Sequence, residues 1–191
     1  MRPTEIATLH KKSTEGWHVE LPNEVSDGLA GLIESNHLQN FLLWHEEDVA
    51  RRDDLGAERI RQAKRTIDQC NQKRNDLVEK IDKHLVEQLR PAESGCSFNS
   101  ETPGMIIDRL SILALKEFHM AEEAARADAE EQHRSKCSHK LSVIRVQIED
   151  LSAALGELLD GVRDQTRSFR VYYQFKMYND TELNPQLRKS A

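Results

Sequence analysis

From about Pro22 to Asp54, the residues Leu29, Leu32, Ile33, Leu38, Phe41, Leu42, Trp44 and Val49 recur at helical spacing over more than one face. Gly28 and Gly31 weaken the opening turns of that helix. Gly56 punctuates the chain. After it, Ile60, Ala63, Ile67, Cys70, Leu77 and Ile81 mark a second helix over about Glu58–Leu89, with Arg74 interrupting the stripe and Pro91 stopping it. The Ser-, Gly- and Pro-rich stretch 90–100 reads as a loop. The run SETPG at 100–104 then opens a third helix, with Thr102 or Ser100 as N-cap and Pro103 in the first turn, where its missing N–H costs little. This helix is apolar on nearly every side through Leu115, the pattern of an element in the middle of a bundle, and turns charged from Glu122 to Glu131. A fourth, about Cys137–Val162, sets Leu141, Ile144, Ile148, Leu151, Leu155, Leu158 and Val162 three and four apart without exception, as in a coiled-coil seam. No strand-like alternation of useful length precedes Phe169–Phe175, which reads as a short extended segment or tail.

Long helices with short connections predict an all-α fold, an antiparallel up-down four-helix bundle with an aromatic and basic C-terminal tail packed on it. Residues 1–21 read as an N-terminal extension, 22–180 as a single helical-bundle domain and 181–191 as a tail. Of the 191 residues, 38% are hydrophobic, enough for a core. The net charge of -6 argues against a nucleic-acid binder, which needs cationic surface to displace counterions. The longest apolar run, Met105–Leu115, is broken by Asp108, Arg109 and Ser111, so no membrane span is expected. With no apolar signal region at the start, the expected compartment is the cytosol. Cys70, Cys96 and Cys137 are odd in number and far apart, with neither disulfide nor zinc spacing.

Polar groups interrupt three of the apolar stripes. In the first helix His37 and Asp48 line up with Phe41 and Trp44, and Asn40 is adjacent; in the second, Gln72, Asn75, Asp76 and Glu79 share a face. In the third, Asp108, Ser111, Ile112, Leu115 and His119 line up, with Lys116 at the edge of the arc. Folding the first two helices back near residue 55 sets His37 level with about residue 73, and folding the next pair near 96 sets Asp76 level with about residue 116. One layer across three helices would then hold His37, Asn40, Gln72, Asn75, Asp76, Lys116 and His119. Taken singly, each group is more often a hydrogen-bonded core residue or a solvated face than a site. Together they suggest a mid-bundle site. Asp76 and Asp108 would hold a cation, magnesium fitting best, or act as base, and His37 or His119 would move protons. Lys116 with Arg109 would neutralise an anionic substrate such as a phosphorylated metabolite or nucleotide sugar, and Asn40, Trp44, Asn75 and Lys176 would complete the binding set. A magnesium site built on Asp48 is disfavoured, because its level lies about 21 Å from Asp76. The competing reading is a helical assembly or regulatory module, a homodimer joined through the fourth-helix seam. In the tail, Arg163, Arg167, Arg170 and Lys176 interleave with Phe169, Tyr172, Tyr173, Phe175 and Tyr178. A strap with solvated arginines is favoured there over an anion site.

Four motifs carry a resemblance: NFLLWHEEDVAR at 40–51, NQKRND at 71–76, SETPGMIIDRLSIL at 100–113 and KMYND at 176–180. Together they resemble a bacterial family of all-helical proteins known only as a domain of unknown function. The resemblance runs from about Asn36 to Pro185 and implies a one-domain bacterial protein with no transferable reaction. It also implies that Trp44, Glu47, Asp48, Asn75, Asp76, Glu101, Asp108, Arg109 and Lys176–Asp180 belong to the family pattern.

Overall fold

The computed structural model describes residues 1–175 and 180–188. Its helices are α1 (Pro3–Trp17), α2 (Gly28–Ala50), α3 (Gly56–Leu89), α4 (Pro103–Ala125), α5 (Glu131–Arg163) and a terminal turn, α6 (Pro185–Arg188). A 3-10 turn at Asp53–Leu55 joins α2 to α3. Two-residue strands β1 (Ser97–Phe98) and β2 (Arg167–Ser168) pair in parallel and tie the α3–α4 loop to the segment after α5. The helical bundle expected from the periodicity is present, with α3 close to its expected bounds and α5 starting six residues before the expected Cys137.

The bundle holds five long helices, not four. Residues 3–17, read from the sequence as an extension, form α1 and bury Ile6, His10, Ser13, Thr14 and Trp17 along one face. That face has helical spacing but is mostly polar, so hydrophobic periodicity does not reveal it. Helix α2 starts later than the expected Pro22. The preceding loop lies on its first turn, and a side chain at Gly31 would sit 1.6 Å from the Ser26 carbonyl oxygen.

Contacts fix the directions. Helices α2 and α3 form one antiparallel hairpin, with Glu46 meeting Arg59 and Asn36 meeting Arg74. Helices α4 and α5 form the other, with Glu117 meeting Arg145 and Glu123 meeting His133. Helix α1 runs parallel to α2, since Thr14 meets His37, Trp17 meets Phe41 and His18 meets His45. Helices α2 and α4 are parallel too, with Asn36 bonded to Asp108 and Trp44 stacked on His119. Thus α1, α2 and α4 point their C-terminal ends toward one end of the bundle, while α3 and α5 return.

The larger core lies at the opposite end, where Ile6, Ile33, Ile81, Leu85, Ile106, Ile107, Leu110, Leu155, Leu158 and Val162 are buried together. The α5 seam is turned into this core: Ile144, Leu155, Leu158 and Val162 are buried, and Ile148 and Leu151 pack against the cluster. The surface on which a seam-joined dimer was expected is therefore occupied by the chain itself. A smaller cluster of Trp17, Phe41 and Leu115 sits toward the other end, flanked by Leu38 and Trp44. Of the tail aromatics described, Phe169 is the anchor at 2% exposure, whereas Tyr173 and Phe175 are exposed. Arg170 lies over Phe98 and Lys83 over Tyr173, so cation–π contacts hold the strap at the α3 side. No helix among the described residues is long and apolar enough to cross a membrane.

The SETPG run also has its structural role. Thr102 caps α4 by accepting the Met105 N–H at 3.2 Å, and the buried Asp82 carboxylate of α3 accepts the Gly104 N–H at 2.7 Å. A Cβ at Gly104 would lie 2.7 Å from the Val78 carbonyl oxygen and 2.8 Å from Asp82 Oδ1. Gly104→Ala should therefore push α4 off α3 and cost about 1–3 kcal/mol, read as a lower urea midpoint.

Candidate functional site

At mid-height the three parallel helices share a buried polar layer. Asp108, 7% exposed, accepts amide protons at Oδ1 from Asn40 at 2.9 Å and Asn36 at 3.1 Å, with the Arg74 guanidinium 3.2 Å away. The second Asn40 proton goes to Ser111 Oγ at 3.0 Å. His37, with no exposed surface, sits between Ser111 Oγ (2.8 Å) and Thr14 Oγ1 (2.9 Å). Thr14 donates its hydroxyl proton to the His10 carbonyl, so it must accept from His37 Nε2. Nδ1 is then left to accept from Ser111. The chain of donors thus closes with a neutral imidazole. Burial pushes His37 down to about 4, and His10, tilted against it with ring centroids 4.6 Å apart, falls well below its ordinary value for the same reason.

Of the seven residues expected in one layer only His37 and Asn40 lie in this network, together with Asp108 of the expected site. His37, Asn40 and Asp108 meet, joined by Asn36, Ser111 and Arg74. Asp76 is exposed on α3 and accepts from Gln72 at 2.7 Å, and Asn75 is half-buried on the same helix. Asp76 and Asp108 do not form the expected cation pair, because Asp108 is enclosed by amides and a guanidinium while Asp76 faces water. Arg109, paired with Glu101, and Lys116 lie exposed on the face of α4 toward α5, lining a groove with Gln147 and Asp150. That face is remote from His37. Lys176 falls outside the described residues. The Asp108 carboxylate is answered at Oδ1 by the two amides and the guanidinium around it.

His119 and Trp44 belong to a different constellation, nearer the C-terminal ends of α1, α2 and α4. One ring nitrogen each from His18, His45 and His119 lies within 4.8 Å of the others. Ring centroids are 5.1 Å apart for His18–His119, 5.2 Å for His18–His45 and 5.7 Å for His45–His119. Two hydrogen bonds fix tautomers. His18 Nδ1 is 2.7 Å from the Thr14 carbonyl oxygen, and His119 Nδ1 is 3.1 Å from the Glu122 carboxylate. Both acceptors require the proton on Nδ1, which leaves the Nε2 lone pairs for a ligand. His119 Nε2 is buried with no partner. Burial holds His45 below its ordinary value, aided by the two neighbouring imidazoles and opposed by Asp48 and Glu122, so it is neutral near pH 7.

Packing holds the rings in place. Trp44 stacks on His119 at 4.9 Å and 9°, Phe118 stacks on His18 at 4.2 Å and 19°, and Phe41 sets an edge against His18 and His45. His18 is exposed and the other two are half-buried, so the cluster opens to solvent. His18 went unseen in the sequence because it ends a helix with no apolar signature. The signal for His45 was its place one residue after Trp44, on the side of α2 that follows His37 and Phe41 upward.

The buried imidazoles give a signed pH dependence. His37 is depressed in the fold, so its stabilising contribution is present above about 6.5 and lost as pH falls toward 4. The loss is about 3 kcal/mol for a shift of that size, and His10 acts in the same direction. Asp82 opposes them: burial raises it to about 6, so its contribution is present below about 4 and is lost as pH rises through 6. His37→Gln should flatten the fall in the urea midpoint between pH 6.5 and 4.5 relative to the unaltered protein.

No curated protein and no solved structure matches the chain. The model of a protein family of unknown function, DUF4254, matches residues 30–171, taking in α2 through β2 with His45, His119 and the whole Asp108 cluster, but leaving out α1. By that match the chain belongs to the DUF4254 family.

Proposed function

We propose that this protein binds a divalent transition-metal ion through His18, His45 and His119, leaving a coordination position open for water or an anionic oxygen ligand. The observation that carries the reading is His119: its Nδ1–H is held by Glu122, and its Nε2 lone pair is buried, unpartnered and gathered with two more imidazoles. This is the carboxylate–histidine pairing that orients metal ligands and strengthens their basicity. Three imidazoles suit zinc, cobalt, nickel or copper. Magnesium, the expectation from the carboxylates, needs oxygen donors and loses its support here.

Bonds of about 2.0–2.1 Å to tetrahedral zinc place ligand nitrogens roughly 3.3 Å apart, so the widest pair must draw in on binding. His18, exposed at the end of α1, has the room to move. The carbonyl end of α1 lies at the site, and its partial negative charge favours a cation. Neutral imidazoles leave the ion's two positive charges uncompensated, which favours an anionic ligand at the open position. The anion-binding expectation thus moves from the mid-bundle layer to the metal. When bound, such an ion supplies Lewis acidity and a water acidified toward neutral pH.

Cobalt(II) titrated into the protein should produce a d–d absorption band at one equivalent, which zinc abolishes and magnesium does not. His45→Asn and His119→Asn should each weaken binding at least 100-fold, and Glu122→Gln about 10–100-fold through His119. Binding should also weaken on acidification, because a ligating imidazole must give up its proton to the solvent. Cobalt affinity no tighter than millimolar, or unchanged in all three variants, would overturn the assignment.

A further inference from the structure

We infer that α1 is a metal-controlled clasp: it docks on the α2–α5 body when the imidazole cluster holds an ion, and releases as a unit, with the two hairpins still folded, when it does not. The clasp rests on the three-imidazole metal site proposed above and adds a switch to it.

Helix α1 is held to the rest of the bundle by little. Of the residues it buries, only Ile6 and Trp17 are apolar; His10, Ser13 and Thr14 are not. Among the described residues no ion pair joins α1 to another helix, and its one side-chain hydrogen bond to the others is the 2.9 Å contact of Thr14 with His37. By contrast, α2, α3 and α4 are pinned together at Asp108, and α5 by its apolar seam. Docking also strands His10, whose ring has no exposed surface and no partner at either nitrogen. A buried polar group left unpaired opposes docking, and release returns both nitrogens to water. Clefts of about 160, 190 and 790 Å³ run along α1 where it faces α4 and α5, so close packing is missing on that side as well. In the loop after α1, residues 18–21 and 23–25 are exposed, so α1 can leave without moving α2.

An ion reverses that balance. His18 comes from the end of α1, whereas His45 stands on α2 and His119 on α4. One ion on all three imidazoles therefore crosslinks α1 to both hairpins. His18 Nδ1 donates to the Thr14 carbonyl at 2.7 Å, and the Thr14 hydroxyl accepts from His37, so the ligand and the docking contact sit on a single helical turn. With α1 released, only His45 and His119 remain, and a site of two imidazoles binds more weakly than one of three. By linkage, the factor by which affinity falls on release is the factor by which the ion favours the docked state. What release uncovers is apolar. Trp17 sets an edge against Phe41 and packs with it and Leu115, so the metal-free protein presents those two side chains to water.

The test is hydrogen–deuterium exchange of the full chain, read by mass spectrometry, in chelator-treated protein and in the same protein with zinc, with cobalt absorption measured in parallel. Zinc should slow amide exchange over residues 6–17 by about ten-fold or more, and change it over 78–89 of α3 by less than about two-fold. His18→Asn, a substitution at an exposed position, should leave exchange over 6–17 as fast with zinc as without it. A cobalt band at one equivalent, with exchange over 6–17 unmoved by zinc, would overturn the clasp and leave the metal site standing. Absence of the band would overturn the site itself, and the clasp with it. Equal slowing of α1 and α3, or slowing that persists in His18→Asn, would also overturn the clasp, since the ion would then act on the whole bundle or without the α1 imidazole.

Discussion

A carboxylate inside a helical bundle must be met by donors, and at Asp108 they come from two other helices. Asn36 and Asn40 of α2 and Arg74 of α3 all converge on one oxygen of this α4 side chain. An unanswered buried charge costs several kcal/mol, so α2, α3 and α4 cannot slide past one another by a turn without losing that set. Apolar side chains tolerate such slippage far better, because burial is non-directional. The second Asn40 proton extends the constraint through Ser111 to His37, and His37 extends it to Thr14 of α1. Four helices are thereby fixed in height by one connected network.

The imidazole cluster inherits that register. His45 follows Asn40 by five residues, His18 follows Thr14 by four, and His119 follows Ser111 by eight, all along helices that run the same way. At about 1.5 Å per residue the three rings therefore rise roughly 6–12 Å above the network and meet at a similar level. Parallel helices make this possible: counted from His10, His37 and Ser111, which meet in that layer, each ring lies eight residues further on. The turns closing α2–α3 and α4–α5 lie beyond it, and the loop 18–27 carries the chain back down to start α2.

Much of this was legible in the letters, and the failures have physical causes. The α5 seam, the Gly56 and Pro91 breaks and the Thr102–Pro103 start all rest on local chemistry and hold in the structure. His37, Asn40 and Asp108 could be placed together because each interrupts an otherwise apolar stripe. Asp76 could not be separated from them, since one turn of α3 decides whether a carboxylate faces the bundle or water. Arg74, the residue that does reach Asp108, looked like a flaw in the stripe when it was the member that pairs across helices. Helix α1 was missed because most of its buried face, His10, Ser13 and Thr14, is polar and leaves no hydrophobic periodicity. With α1 went His18, and with His18 the possibility of seeing the cluster as a set of three.

The central claim is that the Asp108 network acts as one unit that sets the helices' register. A double-mutant cycle on Asn40→Leu and Asp108→Leu, followed by urea unfolding, tests it most directly. The account predicts that each single change is costly, because it strands the other partner, and that the pair together cost less than their sum by more than about 1 kcal/mol. Costs that simply add, to within about 0.5 kcal/mol, would contradict it.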